Sequence, residues 1–115
     1  MNPEEARQKL LEVFGQQLII NKDFDTWYAL MKKAMQEELM QWCQDCQEGK
    51  AKGSVPSHRK HKDKFVFFRK IGGDTRCVLI KVQNEAFIEL YLVKHKEYDD
   101  LRISLGYKKS SYYDS

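Results

Sequence analysis

Apolar residues in the first half of the chain recur at three-and-four spacing, and those in the second half recur at a spacing of two. Leu10, Leu11 and Phe14 form a short helical stripe behind Asn2, a cap candidate, and Pro3, which a first turn tolerates. Glu4 and Glu5 suit the positive end of the helix dipole and Gly15 is a natural stop, so the pattern predicts a helix over residues 3–14. "QQLII" reads as a brief strand. From Asp25 to about Gln47 there is neither Pro nor Gly, and Trp27, Leu30, Met31, Ala34, Met35, Leu39 and Trp42 trace a broad apolar face. That stretch predicts a helix, long enough to be split near its middle into two.

The period changes after "EGKAKGSVPSHRKHKDK", where Gly49, Gly53, Ser54, Pro56 and Ser57 mark a connector. Three strands follow: "FVFFRKI" (65–71), "RCVLIKV" (76–82) and "AFIELYLV" (86–93). Their links, "GGDT" and "QNE", have hairpin length and chemistry, so an antiparallel meander is expected. Strict alternation in the third strand puts Ile88, Leu90 and Leu92 on one face and Phe87, Glu89, Tyr91 and Val93 on the other. One face packs on the helices; the mixed one can carry a site. "DDLRISLG" suggests a short helix, and the polar tail "GYKKSSYYDS" holds three tyrosines able to dock. The expected fold is α+β, N-terminal helices packed on a small antiparallel β-sheet in one domain, 1–115. Its parts are a helical segment 1–49, a basic connector 50–64, a β-meander 65–93 and a C-terminal segment 94–115.

A chain of 115 residues accommodates one domain, and a hydrophobic share of 42% sets it apart from disordered proteins. No segment approaches the roughly 18 apolar residues of a membrane span, and "MNPEEARQKL" has no apolar signal core, so a cytoplasmic protein with no membrane partner is expected. Cys43-x-x-Cys46 followed by His58-x-x-His61 offers four zinc donors. The cysteines, however, fall in the helical stripe region and the histidines in a Lys-rich loop that repels cations. Ordinary reduced thiols are expected, with no metal and no cofactor. Walker, Rossmann, G-x-S-x-G and HExxH patterns are missing from the sequence.

The net charge of +3 conceals a local concentration. Residues 1–49 hold 5 Lys/Arg against 9 Asp/Glu, residues 50–70 hold 8 against 1, and residues 71–115 hold 7 of each. A basic connector beside strands that add Arg69, Lys70, Arg76 and Lys81 points to a polyanion partner. The other chemistry-bearing cluster is "LVKHKEYDDL", where a strongly apolar strand empties into His95, Lys96, Tyr98 and Asp99. An imidazole there can exchange protons near neutral pH. By itself such a cluster is more often a surface turn.

"KFVFFRKIGGDTRCVLIKVQNEAFIELYLVKHKEYDDL" resembles the C-terminal half of the HigB toxins, a branch of the RelE/ParE superfamily of bacterial type II toxin-antitoxin systems. The likeness spans roughly His58 to Ser104. It lies in the Gly-Gly turn with Arg76 opening the next strand, the strand pair of matching length, and "HKEYD" at its exit. The resemblance implies an endoribonuclease that cuts messenger RNA on the ribosome and is silenced by a helix-turn-helix, HigA-like antitoxin. A helix ahead of "QQLII" and the tyrosine-rich tail depart from the family pattern.

Such an enzyme uses the RNA 2′-hydroxyl as nucleophile and needs a base, an acid and fixed positive charge. The expected catalytic set is His95 for proton transfer, Arg76 and Lys96 at the phosphate, Tyr98 stacking on a base or donating a proton, and Asp99 orienting a neighbour. Arg69, Lys70, Lys81, Arg59, Lys60, Lys62 and Lys64 are the expected RNA contacts. Simpler roles stand beside these: Arg76 paired with Asp74 or Glu89, Tyr98 a packed corner residue, Asp99 a helix cap. A nonenzymatic toxin that binds a protein target such as gyrase, or a small RNA-binding module, would share the same fold.

Overall fold

A reciprocal cap opens the first helix: the Asn2 side chain accepts from the Glu5 amide at 2.8 Å and the Glu5 carboxylate accepts from the Asn2 amide at 2.8 Å. The computed structural model describes residues 1–108. Its elements run α1 (Pro3–Phe14), β1 (Ile19–Ile20), α2 (Phe24–Leu30), α3 (Lys33–Gln47), β2 (Lys64–Ile71), β3 (Thr75–Val82), β4 (Phe87–Lys94) and α4 (His95–Leu105). A short 3-10 turn, Arg59–His61, sits in the connector.

The fold is α+β, with a mixed four-stranded sheet ordered β1-β4-β3-β2. β2, β3 and β4 form the expected antiparallel meander, and β1 adds a parallel edge, Ile19 opposite Glu89 and Ile20 opposite Leu90. The Asn21 side chain extends that edge. Its amide donates to the Leu92 carbonyl and accepts from the Leu92 N–H, both at 2.9 Å. Both predicted hairpin links turn through left-handed residues, Gly72 at φ 74° and Asn84 at φ 63°.

The long helix expected from residue 25 to 47 is divided at Met31 and Lys32, whose backbones are extended. No Pro or Gly marks the break. It arises because α2 packs on α1 and β4 while α3 packs on α1 and β2, directions that one straight rod cannot serve. The Gln36 side chain donates to the Tyr28 carbonyl at 2.9 Å and satisfies one of the acceptors freed there.

The three N-terminal helices cover one sheet face with a core that includes Leu10, Phe14, Phe24, Leu39, Trp42, Leu79, Leu90 and Leu92. Helix α4 covers the other through Val66, Val78, Ile80, Val93, Tyr98 and Leu105. Strict alternation along β4 therefore needs correction. Phe87 lies with Leu90 and Leu92 in the first core, and Ile88 packs against the second. A bulge between Ile80 and Lys81 of β3 is the reason: Ile80 pairs with Glu89 but Lys81 pairs with Phe87, so Ile88 is the extra residue that inverts the phase.

The four zinc candidates separate onto the two faces. Cys43 and Cys46 are buried in the helix-side core, whereas His61 lines a cavity with Ile80, Leu101 and Leu105 on the α4 side. No helix among the described residues is long and apolar enough to cross a membrane. Of the C-terminal tail, Tyr107 docks edge-on against Phe68 with ring centroids 5.1 Å apart; residues 109–115 lie outside the described residues.

The connector is stitched to the end of α4. The Ser57 hydroxyl donates to the Gly106 carbonyl, and Gly106 itself ends the helix at φ 95°. A Cβ at Gly106 would stand 2.4 Å from the His58 amide nitrogen, so the site excludes a side chain on both counts. Gly106→Ala is expected to lower unfolding stability by about 1–2 kcal/mol or more, read as a lower urea midpoint. Alkali should act on the core as well. Burial pushes the Cys46 thiol up to about 12, and Cys43 is raised by its contact with Cys77 and then by burial. Desolvation also raises Tyr28 and Tyr91. The unfolded chain releases these protons from about pH 9 upward while the folded chain keeps them, so it is the folded state that binds more protons there. Stability is therefore expected to be level from pH 7 to 8.5 and to fall between about pH 9 and 12, measured as urea midpoints across that range.

Candidate active site at the start of helix α4

No loop separates β4 from α4. Lys94 is still extended at φ −83° and ψ 168°, and His95 is already the first residue of the helix. "HKEYD" is thus a helical turn and not a strand exit, which puts His95 and Asp99 one turn apart on a common face. Asp99 lies inside the helix and does not cap it. Its Oδ2 is 3.3 Å from His95 Nε2.

The partner of the other ring nitrogen comes from β3. Arg76 is paired with Val93, so its side chain lies on the sheet face that α4 crosses, and its Nη2 is 3.4 Å from His95 Nδ1. A guanidinium only donates. In that contact Nδ1 must therefore accept, which leaves the proton on Nε2, directed at Asp99. The imidazole is held between an acid on one side and a cation on the other. Its side chain remains 46% exposed while that of Asp99 is 6% exposed, so the chain of contacts runs from solvent into the interior.

Arg76 is buried. Its Nη1 faces the carbonyls of Gly73 and Thr75 at 3.4 and 3.3 Å, and its Nε has no hydrogen-bond partner among the described residues. Neither simple ion pair considered for Arg76 forms. Asp74 pairs instead with Lys94 at 3.1 Å, and Glu89 accepts from the Tyr91 hydroxyl. The Tyr98 ring, 1% exposed, lies 5.7 Å from the Arg76 guanidinium and 5.6 Å from that of Arg102, with Phe68 edge-on at 5.7 Å. Tyr98 is the packed corner residue, and its ring offers no surface to a nucleotide base.

The remaining candidates are divided. Lys96 is exposed beside His95, and Lys70, also exposed, is the cross-strand partner of Arg76 on the same sheet face. Arg69 points to the opposite face and pairs with Glu38 of α3 at 3.6 Å; Lys81 lies over Phe87 on that face at 5.4 Å. Arg59, Lys60 and Lys62 are exposed on the connector at the far end of α4, and Lys64 pairs with Asp63 at 3.2 Å. Two structural cations were not foreseen. Lys94 ties the β2–β3 turn to β4 and covers Trp27 at 4.8 Å, and Arg102 gathers Phe68, Tyr98 and Tyr107 within 5.1 to 5.6 Å. Only the i to i+4 spacing from Tyr98 hinted at Arg102.

No protein-family model, curated protein or solved structure matches the chain.

The Tyr98 hydroxyl accepts from Arg102 Nη1 at 3.2 Å, so Tyr98→Phe is expected to cost about 0.5–1.5 kcal/mol of unfolding stability. Arg102→Ala should cost more, because it removes that bond and three ring contacts together; paired denaturation curves check the order.

Proposed function

We propose that this chain is an endoribonuclease that cleaves messenger RNA through attack of the ribose 2′-hydroxyl on the adjacent phosphate. The observation that supports it most directly is the half-exposed His95 imidazole, with Arg76 on one nitrogen and Asp99 on the other. The resting arrangement protects the basic nitrogen: Nδ1 carries a lone pair that a single Arg76 contact, long at 3.4 Å, occupies. An incoming phosphate is a better acceptor for a guanidinium than an imidazole is. When Arg76 Nη2 turns to the phosphate oxygen, Nδ1 is released to take the 2′-hydroxyl proton. The imidazolium formed is stabilised by Asp99, and Lys70 and Lys96 on the rim add positive charge where the pentavalent phosphorane builds up negative charge. The P–O5′ bond then breaks, the 5′-oxygen takes a proton from the exposed Lys96 ammonium or from solvent, and a 2′,3′-cyclic phosphate remains. The 2′-hydroxyl is an internal nucleophile, so the chemistry calls for no metal and no covalent enzyme intermediate.

The wider setting rests on the sequence resemblance to HigB toxins and belongs to the same proposal. In it the chain is the toxin of a type II pair, acts in the cytoplasm on ribosome-bound messenger RNA, and is neutralised by a helix-turn-helix antitoxin of the HigA kind.

Brief expression followed by mapping of transcript 5′ ends tests the reading. His95→Gln is expected to lower cleavage by about 10² to 10⁴-fold with an unchanged unfolding midpoint, since a positioned proton-transfer group supplies that much. Replacing the ribose at the cut site by 2′-deoxyribose should block cutting. A folded His95→Gln chain that cuts at the wild-type rate, or transcripts left intact by the wild type, would overturn the proposal.

A further inference from the structure

A cavity lies on the same sheet face at the opposite end of α4 from His95. Its volume is about 170 Å³, and His61, Ile80, Glu89, Tyr91, Ser104 and Leu105 line it. That is below the roughly 300 Å³ of sites for drug-sized ligands, so it suits a planar group no larger than one nucleobase.

Two polar groups in it are left with capacity that packing does not use. Nδ1 of His61 is buried with no hydrogen-bond partner among the described residues. Glu89 accepts from the Tyr91 hydroxyl on Oε2, and no contact with Oε1 is found among the described residues. Burial, followed by the hydrogen bond to Glu89, raises the Tyr91 phenol, so it stays a donor at neutral pH. The bulge in the β3–β4 ladder sits at this point, where such irregularities re-aim side chains. His61 and Tyr91 bring aromatic rings to the lining, and Lys64, paired with Asp63, adds an ammonium.

We infer that this cavity is the base-recognition subsite of the nuclease and that it takes a guanine. The inference rests on the RNA-cleaving reading above. A carboxylate accepts only, and through its lone pairs both oxygens can still accept beside the Tyr91 contact. Guanine alone among the four RNA bases presents two adjacent N–H donor groups, N1–H and the 2-amino group, to such a carboxylate. Its neighbouring O6 meets the donors His61 and Lys64. Single-stranded RNA is read in this way, by stacking on aromatic rings and by hydrogen bonds to the Watson–Crick edge. The connector supplies the rest: Arg59, Lys60 and Lys62 are exposed on either side of His61 and add the positive charge that attracts a strand's phosphates. Four residue steps along β3, from Arg76 to Ile80, separate the two sites by about 14 Å at about 3.4 Å per step, a span that one extended RNA strand bridges.

Titration of the isotopically labelled full chain with guanosine and adenosine 5′-monophosphates at millimolar concentration, followed by NMR, tests this. Resonances of Glu89, Tyr91 and Ser104 should move with the guanine nucleotide, which should bind roughly tenfold more tightly than its adenine counterpart. Glu89→Gln, which keeps an acceptor for Tyr91, should erase the preference, and His95→Gln should retain it. Equal binding of the two nucleotides, shifts confined to other residues, or a preference that survives Glu89→Gln would overturn the assignment. Mapped cut sites separate this inference from the one beneath it. Cleavage that depends on His95 with no guanosine bias would sink the guanine subsite and leave the nuclease. Guanine selectivity at Glu89 in a chain that does not cut RNA would retain the pocket and sink the nuclease.

Discussion

One aromatic ring sets the geometry of the sheet face that carries both candidate sites. Tyr98 is almost wholly enclosed, with two guanidinium groups within 5.7 Å and Phe68 edge-on. Desolvated cation–aromatic contacts of this kind are worth about 2 kcal/mol each, more than exposed ones. The consequence is rotational. Successive residues of a helix are about 100° apart around its axis, so a slip of one position would carry His95 away from Arg76 and Leu105 out of its core. Anchoring Tyr98 fixes which residues of α4 face the sheet along its whole length.

Around that anchor the cations divide by task. Arg76 and Arg102 are packed into the structure and act on neighbours, the first on the His95 imidazole and the second on three rings. Lys70 and Lys96 stay exposed near the imidazole, and Arg59, Lys60 and Lys62 stay exposed near the cavity at the other end. Arg69 and Lys81 face the α1–α3 side and serve Glu38 and Phe87. A basic sequence region is thereby turned into two separate positive edges on one face and a pair of local contacts on the other.

Much of the fold was legible in local pattern. The bounds of α1 followed from Asn2, Pro3, the apolar triplet and Gly15, because capping and periodicity act over one or two turns. The three strands and their turns followed from period-two alternation and from Gly72 and Asn84 in left-handed conformations. That the 25–47 stretch could split into two helices was legible, but the place of the break at Met31, the bulge at Ile88 and the early start of α4 were not. Each is imposed by elements distant in the chain, and none leaves a Pro, Gly or cap to mark it.

The candidate site divides in the same way. Residue types and spacing determined that His95, Tyr98 and Asp99 would sit together near a strand end and that Arg76 would open the preceding strand. Tertiary structure alone decided that Arg76 meets the imidazole, that Tyr98 is interior, and that His61 and Glu89 share a cavity 28 positions apart in sequence. Spacing along a chain specifies contacts only within one helical turn or one hairpin. Which face a side chain takes across the sheet depends on register, and here a single extra residue in β4 set it.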